Sequence, residues 1–188
     1  MIHSDRTSYN RAMSKRIGIY PGTFDPVHAG HIAFARETMR LCNLNKVYFL
    51  PEPKPPKKPN ATDIVTRTAE LRKALSDIDN LEVFQPGSEQ YSIAETLPEL
   101  TDAFEDTRFT MMVGSDSFRS LTDWQDIDIL LRGHDFAVGL RDDDTDEDMK
   151  EYAEKFQEKM GIKLNYKVIH NPDTKDISST RIRAERDK

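Results

Sequence analysis

Two histidines three residues apart, His28 and His31, stand where a short apolar run gives way, through Pro21-Gly22, to a helical pattern. At that spacing they share one face of the helix's first turn. Free main-chain N–H groups and the positive end of the helix dipole lie beside them. The chemistry on offer is anion binding, and strand, tight loop and helix start together have the layout of a phosphate-binding βα turn. A second helix start of this kind closes the chain, at Asp176-Ile177-Ser178-Ser179-Thr180-Arg181-Ile182-Arg183, with three hydroxyls and two arginines. Each piece alone has a plainer reading, a structural histidine pair in one case and an N-cap in the other. Their coincidence with Gly22-Thr23 favours a shared phosphate site. Neither GxxxxGK[ST] nor GxGxxG occurs, so γ-phosphate transfer on a P-loop is unsupported and the dinucleotide fingerprint is missing.

Other side chains have two readings each. Lys57 sits in Pro51-Glu52-Pro53-Lys54-Pro55-Pro56-Lys57-Lys58-Pro59. Proline at that density forbids helix and central strand, leaving a stiff solvated connector or a lysine-bearing lip beside a site. Gly114 permits an abrupt turn after a strand, and Asp116, just beyond it, is a helix cap or a carboxylate at the ligand edge of the sheet. Trp124, the only tryptophan, is core or a stacking surface for a planar ring. The acidic run 142–148 reads as a solvated loop and helix start rather than a metal site.

These residues need a scaffold, and composition bounds it. The 188 residues are enough for one domain with a real core; 37% are hydrophobic and 32% charged, which excludes disorder on composition. A net charge of −6 gives no support to broad nucleic-acid binding. The single cysteine, Cys42, cannot form an internal disulfide; it fits a reducing cytoplasm and reads as a packed thiol. No apolar stretch approaches a membrane span or a secretory signal. Self-association is left open.

Apolar runs at 17–20, 46–50, 108–113 and 136–140, with alternating runs at 81–84 and 163–169, read as strands. Helical spacing marks 29–42, 63–76 with Thr62 as N-cap, 92–104 behind a Ser92 cap, and 149–160. Pro98 is expected to interrupt the third helix or mark a new start. Ile32, Ala35, Met39 and 41–42 are the expected buried stripe of the first helix, and Ile64, Leu71, Ala74, Leu75 and Ile78 that of the second. The alternation predicts an α/β fold: one doubly wound, Rossmann-like parallel sheet with helices on both faces. Residues 1–14 read as a flexible tail and 15–188 as one domain. In such a sheet the two chain ends can meet at the topological switch point and hold one nucleotide's phosphates.

Gly22-Thr23-Phe24-Asp25-Pro26-Val27-His28-Ala29-Gly30-His31 resembles the GTFDPxHxGH signature of the HxGH nucleotidyltransferase superfamily of adenylyl- and cytidylyltransferases. Ile177-Ser178-Ser179-Thr180-Arg181-Ile182-Arg183 resembles the ISSTxIR signature of its bacterial nicotinate-nucleotide adenylyltransferase branch. Pro55-Pro56-Lys57-Lys58 is similar to that branch's PPHK segment, and Gly114 and Asp116 with Leu121 and Trp124 to its GxD…L…W block. The resemblance implies adenylyl transfer from ATP to nicotinate mononucleotide, giving deamido-NAD and pyrophosphate in NAD biosynthesis. Mg²⁺ would arrive on the triphosphate. Main chain at Gly22, Thr23 and Phe24 would receive phosphate and ribose, and His28 and His31 would donate to the ATP phosphates. Ile177, Ser178, Ser179, Thr180 and Arg183 would hold the β/γ portion, with Lys57 reaching the phosphates. Gly114 and Asp116 would meet adenosine. Thr23, Lys57, Tyr91, Trp124 and Arg141 would form the acceptor side, Trp124 stacking on the nicotinate ring and Arg141 approaching the mononucleotide phosphate. Nicotinamide mononucleotide or pantetheine phosphate as acceptor, or a catalytically silent nucleotide-binding module, are the alternatives. Pro21 departs from the family's usual glycine, Lys57 from its histidine, and the block at 90–97 is one residue longer than the family's SYTxDTL.

Overall fold

In the computed structural model the described residues are 16–55, 58–88, 90–104, 108–141 and 143–170. Six strands, β1 (Arg16–Gly22), β2 (Lys46–Pro51), β3 (Leu81–Val83), β4 (Arg108–Gly114), β5 (Asp135–Gly139) and β6 (Tyr166–Ile169), form one sheet in the order β3-β2-β1-β4-β5-β6. Every neighbouring pair is parallel. Parallel neighbours need crossovers, and helices α1 (Ala29–Cys42), α2 (Ile64–Leu75), α3 (Ile93–Ala103), α4 (Ser115–Phe118), α5 (Ile127–Leu131) and α6 (Asp146–Met160) supply them. This is the doubly wound α/β arrangement expected from the sequence, with the direction of strand addition reversing between β1 and β4.

Strand periodicity divides the core in two. On β4, Met111 and Val113 enter one cluster and Met112 the other; on β5, Phe136 and Val138 are split in the same way from Ala137. Leu100 of α3, Leu130 of α5 and Met149 and Phe156 of α6 cover the first face. Phe34 and Ala35 of α1 and Leu71 and Leu75 of α2 cover the second. The central strands, buried on both faces, are mostly apolar, which is why they stood out as runs.

Helix α1 has the bounds the spacing predicts, although its buried residues are Phe34, Ala35 and Thr38, with Ile32 and Met39 partly covered. Four details differ from expectation. Asp63, not Thr62, caps α2: its carboxylate accepts from Thr66 N–H at 2.9 Å, while the main chain of Thr62 is drawn into contacts with Asp25 and Arg67. Pro98 lies inside α3 without ending it. Both Pro98 and Ala94, whose carbonyl loses its helical partner to the ring, are exposed, so that carbonyl is open to solvent. Helix α6 begins at Asp146 rather than 149, because Thr145 and Asp148 form a reciprocal capping box that recruits the acidic run into the first turn. Strand β6 starts at Tyr166, not 163. Cys42 is partly buried, and burial pushes its thiol up, as for a packed group. Among the described residues no helix is long and apolar enough to cross a membrane.

Candidate active site

The register between β1 and β2 runs to Gly22 opposite Pro51, whereas that between β1 and β4 stops at Ile19 opposite Met111. Beyond Ile19 the two central strands part, and a cleft opens at the C-terminal edge of the sheet. Pro21 occupies this parted stretch, where a residue without an N–H leaves no β4-side donor unpaired. The cleft has a volume of about 670 Å³. Gly22, Thr23, Phe24 and His31 line it from one side, Gly114, Asp116, Trp124 and Arg141 from the other, with Tyr91 and Lys58 at the mouth. A second hollow of about 540 Å³ lies at the opposite edge, beside Arg16 and Cys42. Two of its cations are engaged, Arg108 with Asp135 at 2.7 Å and Lys167 with the Leu41 carbonyl at 2.8 Å.

The loop after β1 is wound tightly. Phe24 has a left-handed φ of 48°, strained for an aromatic residue. Its ring is buried and packs edge-on against Tyr20 at 5.3 Å and His31 at 5.1 Å, contacts that offset the strain. His28 is the N-cap of α1 with extended backbone. Its N–H donates to Nδ1 of His31 at 3.2 Å. That bond fixes the tautomer: Nδ1 of His31 carries the lone pair, so the ring proton sits on Nε2. The two imidazoles stack with centroids 3.8 Å apart. Nδ1 of His28 is buried and has no hydrogen-bond partner among the described residues. Burial, followed by the charges of Arg141 and Lys58, lowers His28 to about 4. Burial, then His28, Arg141 and Lys58, holds His31 well below the usual histidine range. At neutral pH the site therefore presents uncharged imidazoles beside a helix N-terminus, within the field of two cationic side chains.

Across the cleft Asp116 lies in the first turn of α4, and its Oδ1 is 3.3 Å from Nε of Arg141. Gly114 has an ordinary φ of −75°, so no left-handed turn requires the glycine. Close approach does: a Cβ there would lie 2.5 Å from Asp116 Oδ1 and would overlap Arg141 Nε. The N–H of Arg141 is held by the fully buried Ser115 hydroxyl at 3.1 Å. Both side chains of the pair are more than half exposed, so their attraction is weak and Arg141 is available to an anionic ligand. Trp124 donates from Nε1 to Ser120 Oγ at 3.3 Å, leaving its ring on the cleft wall. Burial, with the charges of Glu52 and Glu99, raises the Tyr91 hydroxyl.

Thus Gly22, Thr23, Phe24, His31, Tyr91, Gly114, Asp116, Trp124 and Arg141 come together on one cleft, with His28 stacked against His31. Lys57, Ile177, Ser178, Ser179, Thr180 and Arg183 lie outside the described residues. Two residues, one on the cleft wall and one beneath its loops, escaped the sequence reading. Glu52 lines the cleft, and burial raises its carboxyl against the lowering charges of Lys58 and Arg67. Arg67 is 1% exposed at the base of the loops. Its signal was present: with Leu71 and Leu75 it falls at four-residue spacing on the buried stripe of α2.

A parallel sheet in this strand order, with a histidine-bearing helix N-terminus at the switch point, defines the class: a Rossmann-like nucleotide-binding protein. Residues 19–185 match the family model described as cytidylyltransferase-like, and the chain belongs to that family. A probable nicotinate-nucleotide adenylyltransferase of Clostridium novyi (strain NT) is 33% identical over 177 residues, covering 90% of this chain and 86% of the relative. Another, of Synechococcus sp. (strain JA-3-3Ab), is 32% identical over 179 residues, covering 91% and 83%. The structure of the Plasmodium falciparum nicotinic acid mononucleotide adenylyltransferase complexed with NaAD superimposes with a TM-score of 0.72 at 18% identity, over 90% of this chain and 83% of that one. At that identity the likeness establishes the fold.

Proposed function

We propose that this nucleotidyltransferase moves the adenylyl group of ATP onto nicotinate mononucleotide, releasing pyrophosphate and forming deamido-NAD. The observation that carries this is the histidine pair: His31, its proton set on Nε2 by the His28 N–H, lines the switch-point cleft beside the free end of α1. The curated relatives supply the choice of reaction.

In this reading the mononucleotide phosphate attacks the α-phosphorus of ATP; one P–O bond forms and the bond to the departing pyrophosphate breaks. The attacking oxygen is already ionised near neutral pH, so no side chain need remove a proton. Catalysis is then positioning and stabilisation of charge on the phosphoryl oxygens. His28 and His31 donate to the ATP phosphates, assisted by main chain at 22–24. Gly114 and Asp116 face adenosine, Trp124 stacks on the pyridine ring with Tyr91 near its substituent, and Arg141 leaves Asp116 for the mononucleotide phosphate. Lys57, Ser179, Thr180 and Arg183 complete the triphosphate side. Among the described residues no three His, Cys, Asp or Glu side chains converge into a metal cage, and Mg²⁺ enters as part of the MgATP substrate. Residues 15–188 act as one domain, working in the cytoplasm.

Pyrophosphate release with nicotinate mononucleotide, nicotinamide mononucleotide and pantetheine phosphate, each with ATP and with CTP, tests the proposal. The pyridine acid with ATP is the expected best pair. A tenfold preference for a non-pyridine acceptor, about 1.4 kcal/mol of discrimination, overturns it.

A further inference from the structure

Arg67 is the largest fully buried polar side chain in the described structure, yet its hydrogen bonds end on main-chain carbonyls. Nη1 donates to Thr23 O at 2.6 Å, Nε to Thr62 O at 2.6 Å, and Nη2 to Glu52 O at 2.8 Å and Pro53 O at 3.3 Å. Those acceptors belong to the two loops that leave β1 and β2 at the cleft. Glu52 and Pro53 are one foot of the lysine-bearing segment 54–61, and Thr62 is the other. Thr23 belongs to the loop that carries Phe24 into α1. Asp25 reinforces the link by accepting from Thr62 N–H at 3.1 Å.

We infer that Arg67 is a positioning residue for the nucleotide site, holding the Thr23–Phe24 peptide, Glu52–Pro53 and Thr62 in the geometry that receives phosphate. The physical case has two parts. In a trans peptide C=O and N–H point in opposite directions. Tying Thr23 O to Arg67, which does not line the cleft, turns Phe24 N–H to the other side of the loop, and this is the peptide whose left-handed φ the loop must sustain. Secondly, a buried guanidinium is a poor way merely to fill space, because its desolvation penalty exceeds that of an apolar side chain of similar volume. Only a planar fork of donors reaches carbonyls on two loops at once; a lysine ammonium on the same stem retains the charge and loses the fork.

This role rests on the adenylyl-transfer reading for its kinetic readout and stands apart from it in its structural readout. Arg67→Lys is compared with wild type by steady-state kinetics, thermal melting and amide hydrogen exchange. The expected result is a cooperative melt, faster exchange confined to 22–28 and 52–62, and kcat/KM for ATP lowered by about 10², the scale of a misplacement near 1 Å. In Arg67→Ala, millimolar methylguanidinium restores turnover saturably, while the same additive does nothing for His31→Ala. Arg72→Ala, on the exposed face of the same helix, keeps wild-type rates. Unchanged kinetics with unchanged loop exchange overturns the inference, and so does a loss of the folded population or of sheet protection in both variants, which would make Arg67 only structural. Loosened loops in a protein whose wild type transfers no adenylyl group would instead refute the proposed function and leave the positioning role standing.

Discussion

His31 has two separable jobs, and two substitutions divide them. Its Nδ1 accepts the His28 N–H at 3.2 Å, which stabilises the helix start. His31 lines the cleft, where its Nε2–H would meet phosphate. Asparagine places an amide group near the Nδ1 position and nothing at Nε2; glutamine reaches the Nε2 position and leaves Nδ1 empty. His31→Asn therefore keeps the His28 bond and loses the donor. Its kcat should fall by about 10²–10³, or roughly 2.7–4 kcal/mol, the scale for one donor to developing charge, with little change in melting temperature. His31→Gln should retain more turnover and pay in stability instead. An N–H left unpaired in a half-buried position costs about 1 kcal/mol, the low end of the usual range, which lowers Tm by about 2–4 °C in a chain of this size. Pyrophosphate release at saturating substrates and thermal melting read the two effects independently. Wild-type turnover in His31→Asn, or a kcat for His31→Gln below that of His31→Asn, would refute the tautomer assignment and the phosphate role built on it.

The depressed histidines carry a pH signature. His28 titrates near 4 in the folded chain and near 6.5 when unfolded, so between those values the unfolded chain holds more protons. Stability should fall as pH drops from about 6.5 to about 4 and then level, the share of the partly exposed His28 staying well under the roughly 3 kcal/mol of an unscreened shift; urea melts of wild type against His28→Asn measure it, and parallel slopes would exclude that share. ATP binding opposes the cationic field of Arg141 and Lys58 and should draw protons onto the imidazoles; calorimetry at pH 5.5 in buffers of different ionisation enthalpy should show net uptake. Arg141→Gln should raise KM for the mononucleotide by about 10- to 100-fold, the value of one charge-assisted hydrogen bond, without moving KM for ATP comparably. Gly114→Ala should displace both Asp116 and Arg141, impairing both substrates, yet shift stability by less than about 1 kcal/mol because those side chains can swing into water; a large loss of stability would contradict the half-exposed pair.

The scaffold was legible because central parallel strands buried on both faces leave mostly apolar runs, and α1 was bounded to the residue by its stripe and by Asn43, which closes it with a left-handed φ of 52°. The histidine pair was legible for the same reason: a helix start places residues three apart on one face regardless of the rest of the fold. What escaped depended on partners far away in sequence. The role of Arg67 depends on Thr23, forty-four residues earlier, whose carbonyl is its acceptor. Gly114 read as a turn glycine until Arg141 lay over it. Thr62 looked like a cap because local spacing could not show that Asp25 and Arg67 claim its main chain. Pro98 read as a breaker because sequence does not tell which carbonyl a helix can afford to leave to water.

The electrostatic plan of the cleft follows from what it must not do when empty. Arg141 and Lys58, together with the dipole of α1, bring positive charge to bear on the imidazoles, and a permanently charged group at 28 or 31 would add repulsion that the fold must sustain without ligand. Imidazole avoids this: in the empty site it is neutral, still offers one N–H, and costs no buried charge. When a polyanion enters, the same coupling runs the other way. Negative charge offsets the part of the histidine shift that the cations cause, while burial, the larger cause, remains, so protonation becomes easier as negative charge enters. The stacked pair, 3.8 Å apart, then shares a proton more readily than it holds two, since the second would repel the first at close range. Under the proposed function, two stacked neutral histidines would gain positive charge as negative charge arrives, which a lysine or arginine at either position could not do.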